Sequence, residues 1–198
     1  MKRTIGFFAS LTIFTISCNN TQHEQPNQNQ SLPQQVVDTV KQAEVIKDSC
    51  AAYLKAAQQA DNKLLTATVF NQMDAENALK AFDIYTNYCY KDSLAPIYLL
   101  KGGQVAQSIK RYSTAQVMFK RCVDAYPKFA NRGAAMFLLA QLFDDAKMLN
   151  DETQAKILYQ QIIKEYPKTN FAEDAKMCLK NIGKTDEQII EEFMKKNK

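Results

Sequence analysis

The sequence predicts an all-α fold of antiparallel helix hairpins stacked into a solenoid, with a C-terminal helix capping the stack. Three observations predict it. Ala115–Lys128 (AQVMFKRCVDAYPK) and Ala155–Lys168 (AKILYQQIIKEYPK) share an alanine, an aromatic residue four positions later and a closing Tyr-Pro-Lys, at a constant offset of 40 residues. Apolar side chains recur at three- and four-residue spacing: Leu79, Phe82, Tyr85 and Cys89 form one stripe, and Val117, Phe119, Cys122 and Val123 another. Glycine is scarce, at five residues in the whole chain, and strand-like alternation is confined to LLTATVF at Leu64–Phe70, a run equally compatible with a loop. A unit of two helices and a turn repeating every 34 to 40 residues leaves one apolar face uncovered, so units stack until a terminal helix closes the end.

The chain opens with Lys2 and Arg3, an apolar stretch from Ile5 to Ile16, and Ser17-Cys18 ahead of a polar run. That apolar stretch is shorter than the roughly 20 residues a membrane-spanning helix needs. It reads as a signal peptide over residues 1–17. A positive start, a short apolar core and a small residue before cysteine resemble a bacterial lipoprotein signal, and the resemblance implies that Cys18 is acylated and begins the mature protein. Thr15 stands where that family usually has leucine, and an ordinary cleaved export signal is the alternative. Residues 18–35, rich in Gln and Asn with Pro26 and Pro33, have too few apolar side chains to offset chain entropy and read as a tether. The helical domain then occupies residues 36–198. The formal net charge is +4, of which Lys2 and Arg3 supply two, too little to indicate a nucleic-acid partner.

Helices are expected at about 36–60, 74–90, 95–109, 113–126, 131–148, 152–166, 170–181 and 186–196. Pro96 falls in a first turn, where its missing N–H costs nothing. Ser113 and Asp151 are expected N-caps, and Thr185 with Gln188 has capping-box spacing. In DEQIIEEFMKKNK acids come early and lysines late, matching the helix dipole. Cys50, Cys89, Cys122 and Cys178 contain no C-x-x-C pair and read as small core residues; a disulfide in an oxidising compartment is the other reading, with no pairing legible.

The repeated stretches resemble the tetratricopeptide repeat. Gly103 falls at that family's small position on the first helix; Ala115, Phe119 and Cys122 follow at its small–aromatic–small spacing on the second, and Pro127 ends the unit. Ala140, Ala155, Tyr159, Ile162 and Pro167 repeat the frame, and Ala78, Phe82 and Tyr85 form a weaker earlier copy without the proline. Gly103 and Ala115 would let helices approach closely, Phe119 would fill space between hairpins, and proline would stop each helix. The resemblance implies a right-handed solenoid whose first helices line a concave surface that takes peptides or helices. Matching the units by Gly103 and Ala140 places Gln104, Gln107 and Ser108 level with Gln141, Asp144 and Asp145 on that surface, as candidate partner-binding residues.

YPKTNFAEDAKMCLKNIGK, from Tyr166 to Lys184, is similar in style to exported repeat lipoproteins such as those of outer-membrane β-barrel assembly and Tol-Pal-associated cell division. That likeness implies a periplasm-facing, lipid-anchored address at the outer membrane, with which Asn19 is compatible. The partner would be an envelope protein or peptide.

Catalysis finds no support. His23 is the sole histidine and lies in the tether, and no Gly-rich phosphate loop, metal-ligand spacing or cofactor motif is present. Neighbouring acids at Asp144-Asp145, Glu173-Asp174 and Glu191-Glu192 point about 100° apart on a helix and read as solvated faces. The expectation is a non-catalytic adaptor or scaffold. The alternatives are a structural subunit of an envelope assembly or division machine, or a small-ligand carrier.

Overall fold

The computed structural model describes residues 34–196, which fold into eight helices with no strand among them. They are α1 Gln34–Thr66, α2 Gln72–Tyr88, α3 Ala95–Ser108, α4 Tyr112–Ala125, α5 Arg132–Asp144, α6 Glu152–Glu165, α7 Asn170–Asn181 and α8 Asp186–Lys196. The signal peptide, Cys18 and nearly all of the tether, with His23, lie outside the described residues. From α1 to α7 each helix packs on the next, and α5 also touches α7, as in a tetratricopeptide-like solenoid.

The even-numbered helices carry the repeat's packing stripe. Ala78, Phe82 and Tyr85 on α2, Ala115, Phe119 and Cys122 on α4, and Ala155, Tyr159 and Ile162 on α6 are all fully buried. Ala140 on α5 is fully buried as well. Gly102 and Gly103 are contact surfaces on α3: a Cβ at Gly103 would run into the Phe119 ring, and one at Gly102 into the Met118 sulfur. Phe119 therefore sits against Gly103 inside its own hairpin, rather than only between hairpins as expected.

At the end of each stripe comes a corner residue. Tyr126 and Tyr166 cap α4 and α6 just before Pro127 and Pro167, and their carbonyls accept the Phe129 and Thr169 amides at 3.0 and 3.1 Å. The Tyr126 hydroxyl donates to the Tyr90 carbonyl at 2.6 Å. The Tyr166 hydroxyl accepts from Arg132 at 3.1 Å; Arg132 also donates to the Val123 carbonyl at 2.9 Å and pairs with Glu165, tying α4, α5 and α6 together.

Four local expectations need correction. The helix after Gly103's does not start at Ser113: α4 begins at Tyr112 with Arg111 as an N-cap whose side chain pairs with Glu76 at 3.1 Å and makes no capping bond. The preceding turn is closed by backbone, with the Arg111 amide donating to Ala106 and Lys110 to Gln107, a Schellman pattern that holds Lys110 at φ +60°. Helix α1 runs to Thr66, past the expected end, because Ala57, Ala60 and Leu64 pack on the first hairpin while Asp61 pairs with Lys101 and Lys63 with Asp74. LLTATVF is accordingly helix end and loop. Helix α5 stops at Asp144, earlier than expected: the Asp145 carboxylate accepts the Lys147 amide at 2.7 Å, an Asx turn that competes with helix continuation. Finally, Cys50 and Cys89 are not isolated core cysteines but a disulfide, with Cα atoms 5.6 Å apart.

The remaining start signals stand. Pro96 is in the first turn of α3, Asp151 accepts the Gln154 amide at 3.1 Å, and Thr185 and Gln188 exchange reciprocal bonds at 3.0 and 3.3 Å.

Candidate functional site

A cleft of about 690 Å³ opens where the C-terminal ends of α3, α5 and α7 meet the α5–α6 turn and the start of α8. Three features of the chain make it. The Asx turn at Asp145 ends α5 and sends residues 146–150 outward, with Asn150 at φ +52°. The Gln107 amide then reaches the Met148 sulfur at 3.5 Å, drawing that turn over the end of α3. Gly183, at φ +79°, turns the chain from α7 toward α8, whose capping box and Lys184–Glu192 pair set its start.

Of the six candidate partner-binding residues, the structure brings Gln107, Gln141, Asp144 and Asp145 to this cleft. Gln104 and Ser108 are exposed on α3 and do not line it, and the Ser108 hydroxyl donates back to the Val105 carbonyl at 2.7 Å. Leu100 and Phe137 are half-buried and pack on the main core, with the Phe137 ring 5.9 Å from that of Tyr159.

Along the cleft lining the Tyr159 hydroxyl donates to Asp144 at 3.1 Å. Burial pushes the Asp144 carboxyl above its ordinary range; the charges of Glu152 and Asp145 push the same way, and the Tyr159 bond opposes them. Asp144 is therefore a partly desolvated acid and not the solvated surface carboxylate its Asp-Asp setting suggests. The Tyr159 hydroxyl is pushed up strongly, first by burial and then by the neighbouring Cys178 and Asp144, and stays protonated as a donor. Burial likewise raises the half-buried Cys178 thiol, which lines the cleft as a neutral group rather than a nucleophile.

Tyr159, Cys178, Met177, Asn181 and Glu152 were not anticipated as cleft residues. One signal was present for Tyr159. The other two repeats place Phe82 and Phe119 at its position, and a hydroxyl added to a fully buried ring requires a partner. Nothing in the order of residues marks the others, which arrive from α7 and the α6 start.

The rim is anionic, with Asp144, Asp145 and Glu152 against one lysine, Lys184, whose ammonium is held by Glu192 at 2.6 Å. The walls are apolar where Met148, Met177, Ile182 and Ile189 contribute. No group of three or more His, Cys, Asp or Glu side chains arranged to hold a metal occurs among the described residues. An open, mixed cleft of this kind offers hydrogen bonds and charge to a bound chain.

The tetratricopeptide repeat family model matches residues 134–169, which is the α5–α6 hairpin with its closing corner and includes much of the cleft. No curated protein matches the sequence. The eight-helix architecture and that match together make this a tetratricopeptide-like helical solenoid, a fold whose work is binding other proteins.

Proposed function

We propose that the chain is a lipid-anchored adaptor of the cell envelope, non-catalytic, which holds a partner protein in the cleft at the ends of α3, α5 and α7. The observation that carries the reading is the gathering of Gln107, Gln141, Asp144 and Asp145, from two successive first helices, around one opening. Amides and carboxylates so placed suit a peptide backbone or basic side chains. The tether and the signal ahead of Cys18 supply the address: outer membrane, facing the periplasm. The Cys50–Cys89 disulfide supports export, because such bonds persist in oxidising compartments and are rare in the reducing cytosol.

The test pairs wild type with Cys18→Ala. Both are fractionated from native membranes, their mature masses measured and their bound proteins isolated. Wild type is expected to carry acyl chains, to follow the outer membrane and to bring down a defined envelope protein. Cys18→Ala should lose the acyl mass and the membrane fraction together. A soluble, unacylated wild type that isolates alone would sink both the address and the adaptor role.

A further inference from the structure

The cleft does more than offer hydrogen bonds, because one of its walls continues onto a helix that the solenoid leaves largely uncovered. Ile189 lines the cleft at the start of α8, and Phe193, one turn further on, lies on the same side of that helix, 66% exposed. Met177, from α7, is 64% exposed and also lines the cleft. Helix α8 packs only sparsely on the rest of the molecule, although it is strongly amphipathic in sequence. An apolar strip thus runs beside an acidic rim formed by Asp144, Asp145 and Glu152. Two lysines of this region are already engaged, Lys184 by Glu192 and Lys156 by Glu152.

We infer that the cleft and the α8 face together form a docking groove for a basic amphipathic segment of the partner protein, with Lys or Arg side chains interleaved with apolar ones. The inference rests on the adaptor reading and names the chemistry of its partner. Charge complementarity decides the occupant. An acidic or neutral amphipathic segment would cover the same apolar strip but would leave Asp144 and Asp145 facing like charge or nothing. A lysine or arginine suits both surfaces at once, its aliphatic stem lying on Met148 and Met177 while its head reaches the carboxylates. A cleft of about 690 Å³ is of a size to take a few such side chains and not a whole domain.

The experiment presents the full chain to a display library of random twelve-residue peptides and then measures recovered peptides against variants. Recovered peptides should be enriched in Lys or Arg together with Leu, Ile or Phe. Their binding should weaken on the order of tenfold in Asp144→Asn with Asp145→Asn, and should fall with salt in wild type. In Asp144→Asn the side-chain amide oxygen can still accept the Tyr159 hydroxyl, and a thermal melt of the variant verifies its fold. Phe193→Ser, on an exposed position one turn from Ile189, tests the apolar strip separately and should weaken binding severalfold. Recovered peptides that are acidic or uncharged, basic peptides indifferent to both variants, or no recovered peptides at all would each overturn this inference. The adaptor reading fails by a different result, the absence of a co-isolated envelope protein, so the two failures are distinguishable.

Discussion

The first hairpin and the two that follow solve the same corner in different ways. Counting along the even-numbered helices, Ala78, Phe82, Tyr85 and Cys89 align with Ala115, Phe119, Cys122 and Tyr126, and with Ala155, Tyr159, Ile162 and Tyr166. Cys89, Tyr126 and Tyr166 each occupy the C-cap of their helix. Where the later units use a tyrosine hydroxyl and a proline, the first uses a covalent bond to Cys50 on α1. The cores differ accordingly. The later hairpins share one large cluster spanning α2 to α7, whereas α1 joins a small one built on Ala57, Phe82, Tyr85 and Tyr98. A terminal unit packs on one neighbour only, and with less apolar area to bury, a cross-link substitutes for the missing side of the stack.

The largest effect expected from breaking this comparison lies in the shared core. Phe119→Ala removes a fully buried ring from the middle of the stack and should destabilise the whole chain by about 3–5 kcal/mol, seen as a lower midpoint in one cooperative denaturant transition. Cys50→Ser with Cys89→Ser comes next, at about 4 kcal/mol at most from the lost constraint on a 39-residue separation. Its effect should be local. Hydrogen exchange should quicken in α1 and the end of α2 while α5 to α7 keep their protection, and equal deprotection throughout would refute the division into two cores.

Two glycines sharpen the contrast between packing and propensity. Alanine is the better helix former by about 1 kcal/mol. Gly103→Ala nevertheless drives a methyl into Phe119 and should destabilise by roughly 1–3 kcal/mol. Gly133→Ala should be the favourable change of the pair, stabilising by about a few tenths of a kcal/mol, because a Cβ there meets Phe171 and Tyr166 at an ordinary 3.5 Å. Thermal melts of the two variants check the opposite signs.

The smallest effect belongs to the cleft. Burial raises the folded-state pKa of Asp144 above the ordinary 3.8, so the stability this group contributes is present below that value and lost as pH rises through its folded pKa. Asp144→Asn should therefore melt slightly higher than wild type at neutral pH, with the difference vanishing below 3.8. A carboxylate kept at such a position against stability is consistent with its place in a binding groove.

Helix positions were legible because period 3.6 and the repeat both report locally, and eight expected helices correspond to eight observed ones among the described residues. Errors fell where a contact that helical periodicity does not report set the boundary, distant in one case and local in the other. Thr66 belongs to α1 because α2 and α3 hold that turn in place, and α5 ends at Asp144 because one carboxylate captures a backbone amide. For the site, matching the two units by their small residues picked out four groups that the structure gathers at one cleft. Gln104 and Ser108 lie away from it, and a repeat alignment cannot tell which polar residue on an exposed helix face meets a turn arriving from the next hairpin.

By itself the sequence determined the hairpin unit, its stacking stripe and its corners, since each depends on residues within one or two turns of one another. Only the tertiary structure decided which cysteines pair, since Cys50 and Cys89 meet only after α1 folds back on α2. It also decided that Asp144 is a desolvated acid beneath Tyr159 and that α8 leaves an apolar face beside an acidic rim. Those facts depend on separations in space between segments far apart in the chain. No local pattern of residues encodes such distances.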